Sequence, residues 1–316
     1  MTPRQRAIEA LELRRPPGLV PHLELEFQLS QEVFGRPALR AEHLQDITGA
    51  RRQDLLKRNA EHWVEVAREF DYSVITGLHW LSPDDQLASF EYVRDIAGDT
   101  YMLSAFVDGT FAIPSGENMI EHVVFLTERK QAALEDARRR VEEAIALGLQ
   151  VIGGGAEVIF MCADYCFNHG PFLSPAMFAE HVAPFLRQQV AAWNAAGAYT
   201  VKHTDGNIMP ILDQLADSGA RALHSLDPMA GVDIAEVKRR VGGRMCLIGN
   251  VNLAYVQSGT PEQITESARY CLRHGGVNQG GYIYATSNCI FSGVPIESYH
   301  HLLRVREEYG YPGAQP

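Results

Sequence analysis

Short apolar, β-prone runs alternate with longer segments of helical periodicity along most of the chain. From residue 128, an amphipathic stretch leads into an apolar run at 157–161, and this order repeats to the end of the sequence. Short apolar runs of this kind are typical of strands buried on both faces of a parallel sheet. The pattern predicts about eight strands, each followed by a helix. We therefore expect one (β/α)₈ TIM barrel domain over residues 1–316, with a doubly wound α/β fold as the alternative.

The first third of the chain is less regular. A helix is predicted at 2–13 as an N-terminal extension, and apolar runs at 19–24 and 72–76 predict the first two strands, with a helix at 51–70 between them. Residues 90–110 alternate around a Gly-Asp turn. This alternation predicts a hairpin-like insertion in the barrel, in which "MLSAF" is a candidate third strand.

Two helix boundaries and a tail follow from capping signals. Gly148 is expected to end the long helix that starts near residue 128. Ser174 and Pro175 open a helix expected to continue as one element to residue 197. Residues 311–316 are expected to form a loose tail.

Composition narrows the choice of partners and compartment. The net charge of −11 disfavours nucleic acid, whose phosphates attract clustered Lys and Arg. No segment approaches the roughly 20 continuous apolar residues of a membrane span, and the charged first residues do not resemble a signal peptide. The five cysteines form no C-x-x-C pair. We therefore expect a cytoplasmic protein with free thiols.

Polar side chains gather where the predicted strands end. Active sites of (β/α)₈ barrels lie at the carboxyl ends of the strands. The residues at or just after these ends are Glu24, Glu26, Thr76, His79, Asp164, Tyr165, His203, Asp205, His224, Asp227, Asn250, Asn252, Ser287, Asn288 and Cys289. The set is richer in polar groups than loops require, although each member alone has an ordinary structural interpretation.

His203 and Asp205 are the sharpest pair. Because strand side chains alternate, the two should point the same way if the strand is still extended there. They would then bind a metal ion or act as acid and base. The alternative is that Asp205 caps the next helix and His203 is a hydrogen-bonded rim residue. Cys289 would complete a His/Asp/Cys zinc set or be an inert thiol.

Three long segments carry a family resemblance. "VIFMCADYCFNHGPFLSPAMFAEHVAPFL", the stretch from "VKHTDGN" to "LIGNVN", and "GGYIYATSNCIFSGVPIESYHHL" together resemble the uroporphyrinogen decarboxylase-like superfamily. The likeness covers residues 130–310 well and the N-terminal part weakly. It implies a (β/α)₈ barrel and two kinds of enzyme: the cofactor-free decarboxylase, and zinc-dependent methyltransferases that work with corrinoid proteins.

The region after the first predicted strand separates these two kinds. The resemblance implies that a decarboxylase of the polycarboxylate uroporphyrinogen has an arginine-bearing motif there. This chain has "LELEFQLSQ", with glutamates and no arginine. Carboxylates would repel such a substrate, so uroporphyrinogen decarboxylase activity is disfavoured.

The zinc pattern of the methyltransferases matches in part. Those that act with coenzyme M resemble this chain at His203 and Cys289, whereas Asp205 stands where they have cysteine. The resemblance implies zinc held by His203, Asp205 and Cys289, with Glu24 as a further ligand. The better match is to methyltransferases in which zinc polarises a methylated ether or amine. O-demethylation would pass the methyl group to a corrinoid, as methylcobalamin, on a partner protein.

The remaining expected roles complete this hypothesis. Asp164 and Tyr165, with His203, are expected to act in catalysis, and Glu24, His79, Asn168 and Asn250 are expected to contact substrate. Homodimers are expected from the resemblance. A metal-free decarboxylase using Asp71, or Asp164 with Tyr165, is the alternative enzyme, and a small-molecule binding protein on a degenerate barrel is the third hypothesis.

Overall fold

Seven parallel strands form one curled sheet in the computed structural model, which describes residues 1–276 and 280–310. Their order in the sheet follows the chain: β1 (Val74–Ile75), β2 (Met102–Phe106), β3 (Val158–Met161), β6 (Tyr199–Thr204), β7 (Ala222–Ser225), β8 (Cys246–Gly249) and β9 (Tyr282–Ile283). β4 (Cys166–Phe167) and β5 (Gly170–Pro171) form a separate antiparallel hairpin. The predicted tail at 311–316 lies outside the described residues.

His22 closes the sheet into a barrel. It forms parallel bridges to Tyr72 on one side and Tyr284 on the other. The backbone N–H of Ser73 donates to the carbonyl of His22 at 2.7 Å, and the N–H of Leu23 donates to the carbonyl of Tyr284 at 3.2 Å. The strand predicted at 19–24 is therefore present as a short bridging segment. The predicted (β/α)₈ barrel is confirmed.

Helices surround the strands, as buried strands in a parallel sheet require. The α-helices are α1 (Pro3–Leu11), α2 (Ser30–Phe34), α3 (Gly49–Glu69), α4 (Pro83–Ala97), α5 (Met119–Glu128), α6 (Lys130–Gly153), α7 (Pro175–His181), α8 (Ala183–Ala195), α9 (Leu212–Ala216), α10 (Ile234–Val241), α11 (Leu253–Ser258), α12 (Pro261–Gly275) and α13 (Ile296–Tyr309). Short 3₁₀ turns lie at Ala41–Leu44, Gly77–Trp80, Gly116–Asn118 and Pro228–Ala230.

The predicted N-terminal helix, α1, covers the amino end of the barrel. Its Ala7, Ala10 and Leu11 pack into the same apolar cluster as the inward-facing strand residues. The backbone N–H of Arg4 donates to the carbonyl of Thr100, just before β2. With this end closed by α1, access to the interior lies at the opposite rim, where the strands end.

The hairpin predicted near residues 90–110 is wrong. Pro83–Ala97 forms α4, which begins at the N-cap Ser82, whose hydroxyl accepts from the N–H of Asp85, and ends at Gly98. The apparent alternation around 92–94 is the face of a helix that packs on α3, so a local period of two was misleading. "MLSAF" is confirmed as the third barrel strand, β2.

Two predicted helix boundaries also differ. α6 continues past Gly148 to Gly153, and Gly148 is needed there because a Cβ would lie 2.1 Å from Nε1 of Trp193. The helix predicted from 174 to 197 is divided at Val182, where α7 ends and α8 begins with Pro184 in its first turn. Proline lacks the N–H that would continue the preceding helix.

Alternation along β6 separates the barrel interior from the helix layer. Val201 belongs to the interior cluster, and His203 follows it on the same face, whereas Lys202 points outwards. The interior therefore changes from apolar to polar towards the carboxyl rim. In the described ranges we find no helix with the length and apolar character needed to cross a membrane.

Candidate metal site at the mouth of the barrel

Asp164, His203 and Asp205 converge at the carboxyl rim, and one ligand atom from each lies within 4.8 Å of the other two. Nε2 of His203 is 3.9 Å from Oδ1 of Asp164 and 3.8 Å from Oδ1 of Asp205. These separations are too long for hydrogen bonds. An imidazole nitrogen facing two carboxylate oxygens across such a gap is a donor set that suits zinc or another divalent ion.

Neighbouring strands hold the Asp205 carboxylate in place. The hydroxyl of Ser225 donates to Oδ1 at 2.7 Å, and Nδ2 of Asn288 donates to Oδ2 at 2.5 Å. Burial raises the pKa of Asp205 to about 6; the hydrogen bonds from Ser225 and Asn288 oppose this shift, whereas Asp164 adds to it. The carboxylate of Asp205 is thus held in one orientation, and its ionised form is destabilised by burial. A bound cation would stabilise that ionised form.

The rings of His203 and His224 are hydrogen-bonded inside the barrel. The two residues are directly paired between β6 and β7, and their Nδ1 atoms lie 2.7 Å apart. Burial lowers the pKa of His203 to about 3, with a smaller effect from Lys202. Burial, with a smaller effect from His203, also lowers the pKa of His224 well below its ordinary value. Both rings are therefore neutral near pH 7, and a neutral imidazole is the form that binds metals.

Glu26, His79 and Phe106 form a second group at the mouth. Nε2 of His79 lies 3.1 Å from Oε1 of Glu26, and the His79 ring stacks on Phe106 at 3.9 Å with an interplanar angle of 8°. Burial raises the pKa of Glu26, but hydrogen bonds from His79 and Gln28 outweigh it and lower the pKa to about 2. The mouth thus combines a fixed anion with a flat aromatic wall.

Cys289 lies next to the cluster but is not one of its three members. Its backbone N–H donates to Oδ1 of Asn288, the residue that holds Asp205. Burial, with the nearby charges of Glu26 and Asp205, raises the pKa of the Cys289 thiol. The His/Asp pair expected from sequence is therefore brought together, with Asp164 nearer to it than the expected cysteine.

Tyr165 is turned away from the cluster. Its hydroxyl hydrogen-bonds Oγ1 of Thr110 at 2.6 Å, and its ring lies 4.1 Å from the ammonium of Lys202. This places the expected catalytic tyrosine in the helix layer, where it supports the Lys202–Asp108 ion pair.

Four further predicted residues also lie apart from the cluster. Glu24 is fully buried and accepts from the N–H and hydroxyl of Thr286. Asn250 donates to the carbonyl of Leu226 and accepts from the thiol of Cys271 on α12. Asn168 is exposed in the β4–β5 turn. Asp71 pairs with Arg6 and Arg306 at the amino end of β1.

The barrel rule placed Glu26, His224 and Asn288 among the polar residues at the strand ends, but the sequence assigned none of them a role in the site. Ser225, the last residue of β7, was not in that set. Glu26 was passed over for Glu24, although a period of two gives both residues the same face. The side chain of Glu24 is bonded to Thr286, whereas Glu26 lies beside His79. The period alone does not tell which of the two reaches the mouth.

The fold is a (β/α)₈ barrel, and its polar residues converge at the carboxyl ends of the strands, where enzymes with this fold have their active sites. The family model described as Uroporphyrinogen decarboxylase (URO-D) matches residues 87–309, more than two thirds of the chain. The chain therefore belongs to the uroporphyrinogen decarboxylase family.

Individual relatives are distant. A uroporphyrinogen decarboxylase of Coxiella burnetii is 26% identical over 175 residues, which cover 52% of this chain and 44% of that protein. One from Shewanella loihica is 24% identical over 203 residues, covering 59% and 53%. The chain thus spans about half the length of the curated relatives it matches.

A solved structure resembles the whole chain. A methyltransferase from Methanosarcina mazei superimposes with a TM-score of 0.76 over 98% of this chain and 99% of that one, at 17% identity. At this identity, the likeness establishes the shared barrel fold.

Proposed function

We propose that this chain is a zinc-dependent methyltransferase that moves a methyl group between a small methylated ether or amine and the cobalt of a corrinoid protein. The observation that carries the proposal is the convergence of His203, Asp205 and Asp164 at the barrel mouth. The expected homodimer and the single-domain organisation are part of the same hypothesis.

The chemistry of the donor set fits zinc. Imidazole nitrogen and carboxylate oxygen are ordinary zinc ligands, at about 2.0–2.2 Å from the ion. Among the residues that the structure describes, Nε2 of His203 has no hydrogen-bond partner at normal distance, and carboxylate oxygens of Asp205 and Asp164 lie 3.8 and 3.9 Å from it. We propose that His203, Asp205 and Asp164 would hold the ion, with the Cys289 thiol as the neighbouring candidate for a further ligand.

The residues around the cluster have distinct roles in this proposal. Bound zinc supplies a Lewis acid for the oxygen or nitrogen that carries the methyl group. Ser225 and Asn288 orient Asp205, because each donates to a different oxygen of its carboxylate. Oδ1 of Asp164 accepts from the backbone N–H of Asp205 at 2.9 Å. Its other oxygen, Oδ2, would relay a proton from solvent to the demethylated oxygen or nitrogen.

Glu26, His79 and Phe106 would form the substrate wall. The stacked pair of His79 and Phe106 offers a flat face against which an aromatic ether or the methyl groups of an amine can pack. Glu26 is ionised near pH 7 and borders this face. Glu24, Asn168 and Asn250 have no part in this proposal. Glu24 is bonded to Thr286, Asn250 is bonded to Leu226 and Cys271, and Asn168 is exposed in the β4–β5 turn.

The second candidate is a metal-free decarboxylase, which the family match and the names of the relatives favour. The mouth carries the carboxyl groups of Glu26, Asp164 and Asp205, and a polycarboxylate substrate would meet repulsion from them. Asp71 sits at the opposite end of the barrel, bonded to two arginines. Tyr165 is engaged with Thr110. The geometry therefore favours the methyltransferase.

Metal content and methyl transfer test the proposal. Protein purified without a metal-chelating step is analysed by plasma mass spectrometry, with His203→Ala as the variant and His43→Ala as a control histidine on the surface. We expect about one zinc per chain in the wild type and in the control, and loss of the zinc in His203→Ala.

Methyl transfer is the second test. Incubation of the zinc-loaded protein with methylated ethers or amines and free cob(I)alamin should form methylcobalamin, which is detected by its absorbance. A wild type without zinc that decarboxylates a porphyrinogen would overturn the proposal.

A further inference from the structure

His224 stands behind His203 on the adjacent strand. The two residues form a register pair between β6 and β7, so both side chains enter the barrel at the same height. Their Nδ1 atoms are 2.7 Å apart, which is hydrogen-bond distance. The other nitrogen of His203, Nε2, faces Asp164 and Asp205. One ring therefore touches the candidate metal site with one nitrogen and His224 with the other.

The single proton between the two Nδ1 atoms decides what His203 can bind. If His203 donates, its Nε2 is bare and its lone pair faces the two carboxylates. If His224 donates, a neutral His203 carries its proton on Nε2, and that nitrogen is closed to a metal ion. Metal binding through Nε2 thus requires His224 to be the acceptor.

We infer that His224 is a positioning residue that accepts the Nδ1–H of His203 and holds His203 in the tautomer whose Nε2 can bind a metal ion. This inference rests on the proposed function. Partners of metal-bound histidines are usually carboxylates, carbonyls or water. Here the partner is a second neutral imidazole that does not itself reach the site.

The surroundings of His224 support a specific role. The residue is completely buried, and its Nε2 has no hydrogen-bond partner among the described residues. A buried polar atom without a partner is costly, and an apolar side chain would fill the same place without that cost. The hydrogen bond between Nδ1 of His224 and Nδ1 of His203 is what a histidine provides here and an apolar residue would not.

The test compares variants that keep or remove the acceptor. In His224→Asn the carboxamide oxygen lies near the place of Nδ1 and can still accept from His203. His224→Leu has almost the same size but no acceptor. Zinc affinity is measured by competition with a chromophoric chelator, and the visible spectrum of the Co²⁺ form reports the ligand set. Thermal unfolding of each metal-free variant checks that the barrel is intact.

We expect His224→Leu to bind zinc roughly 10–100-fold more weakly than wild type, and His224→Asn to recover most of that loss. If His224→Leu does not fold, His224→Asn and His224→Gln give the same comparison, because the longer glutamine places its carboxamide near Nε2 instead. A wild type that binds zinc no more tightly than His224→Leu, or an asparagine variant as weak as the leucine variant, overturns the inference alone. A wild type that binds no zinc overturns the proposed function and this inference with it.

Discussion

Nζ of Lys202 lies 2.9 Å from Oδ2 of Asp108 on the opposite face of β6 from His203. Lys202 is completely buried, and its ammonium also donates to the carbonyl of Ala163 at 2.8 Å. Asp108 in turn accepts from the backbone N–H of Ala163 at 3.0 Å. This ion pair joins the end of β6 to the chain just before Asp164. Two of the three candidate metal ligands, His203 and Asp164, are therefore each next in sequence to a residue that this ion pair holds in place.

Removal of Lys202 alone should be strongly destabilising. Lys202→Met leaves the Asp108 carboxylate buried without its cation, and breaking a buried pair in this way costs about 3–5 kcal/mol of unfolding free energy. Urea unfolding followed by circular dichroism measures the loss. The double variant Lys202→Met/Asp108→Asn, which has no unpaired charge, should recover a substantial part of it. A single variant as stable as wild type would show that the pair does not stabilise this rim.

Asp164 and Cys289 should differ as zinc ligands. Because Asp164 belongs to the cluster of three and Cys289 lies beside it, Asp164→Asn should weaken zinc binding by about tenfold or more, and Cys289→Ser by less. Isothermal titration with zinc measures both. Asp227→Asn is the matched control, since that carboxylate caps a 3₁₀ turn nearby without joining the cluster. The reverse order of effects would restore the thiolate site that the family resemblance implies.

His62 should make stability depend on pH. Nε of Arg36 donates to its Nδ1 at 3.2 Å, and its Nε2 lies 2.9 Å from the hydroxyl of Ser30. Burial, with a smaller effect from Arg36, lowers the pKa of His62 from 6.5 to about 4. Between these pH values the unfolded chain binds a proton that the folded protein does not. Stability is therefore complete above pH 6.5 and falls as the pH decreases to about 4, by about 3 kcal/mol from this group.

Comparison with His62→Gln isolates that contribution. The glutamine has no proton to gain, so the variant should lose less stability than wild type between pH 6.5 and pH 4. Urea unfolding at several pH values gives the difference, which removes the effects of the other histidines. Parallel pH profiles for the two proteins would mean that His62 titrates normally in the folded state.

Strand ends could be predicted from the sequence better than the directions of individual side chains. The period of two along "YTVKHT" correctly placed His203 inside the barrel, because β6 is extended and is buried at every residue after Tyr199. The period does not tell which of Glu24 and Glu26 reaches the mouth, and it does not apply to Asp164, which reaches the site from the loop after β3. The barrel rule placed Asp164 at the rim but did not predict that it would face His203. Which loop residue arrives beside His203 depends on contacts from several strands, and no local pattern encodes these.

Apart from the proposed ligands His203 and Asp205, Gly206 should be the residue of the "HTDGN" motif that tolerates substitution least. Its φ is +79°, and a Cβ would lie 2.5 Å from the carbonyl oxygen of Cys166 in the β4–β5 hairpin. The hairpin is held there by the N–H of Asn207, which donates to the carbonyl of Phe167 at 2.9 Å. Gly206→Ala therefore adds backbone strain to a clash with main-chain atoms. We expect it to push the hairpin away and to displace the adjacent Asp205.

Gly197→Ala separates the two effects. Gly197 also has a positive φ, +91°, but no atom would lie within 4 Å of its Cβ, so only the strain of about 1–2 kcal/mol applies. Gly206→Ala should cost about 1–3 kcal/mol more, because overpacking is added, and it alone should weaken zinc binding. Urea unfolding and chelator competition on the two variants measure these differences. If both variants lose the same unfolding free energy and zinc affinity is unchanged, then the β4–β5 hairpin moves aside without cost and does not determine the position of Asp205.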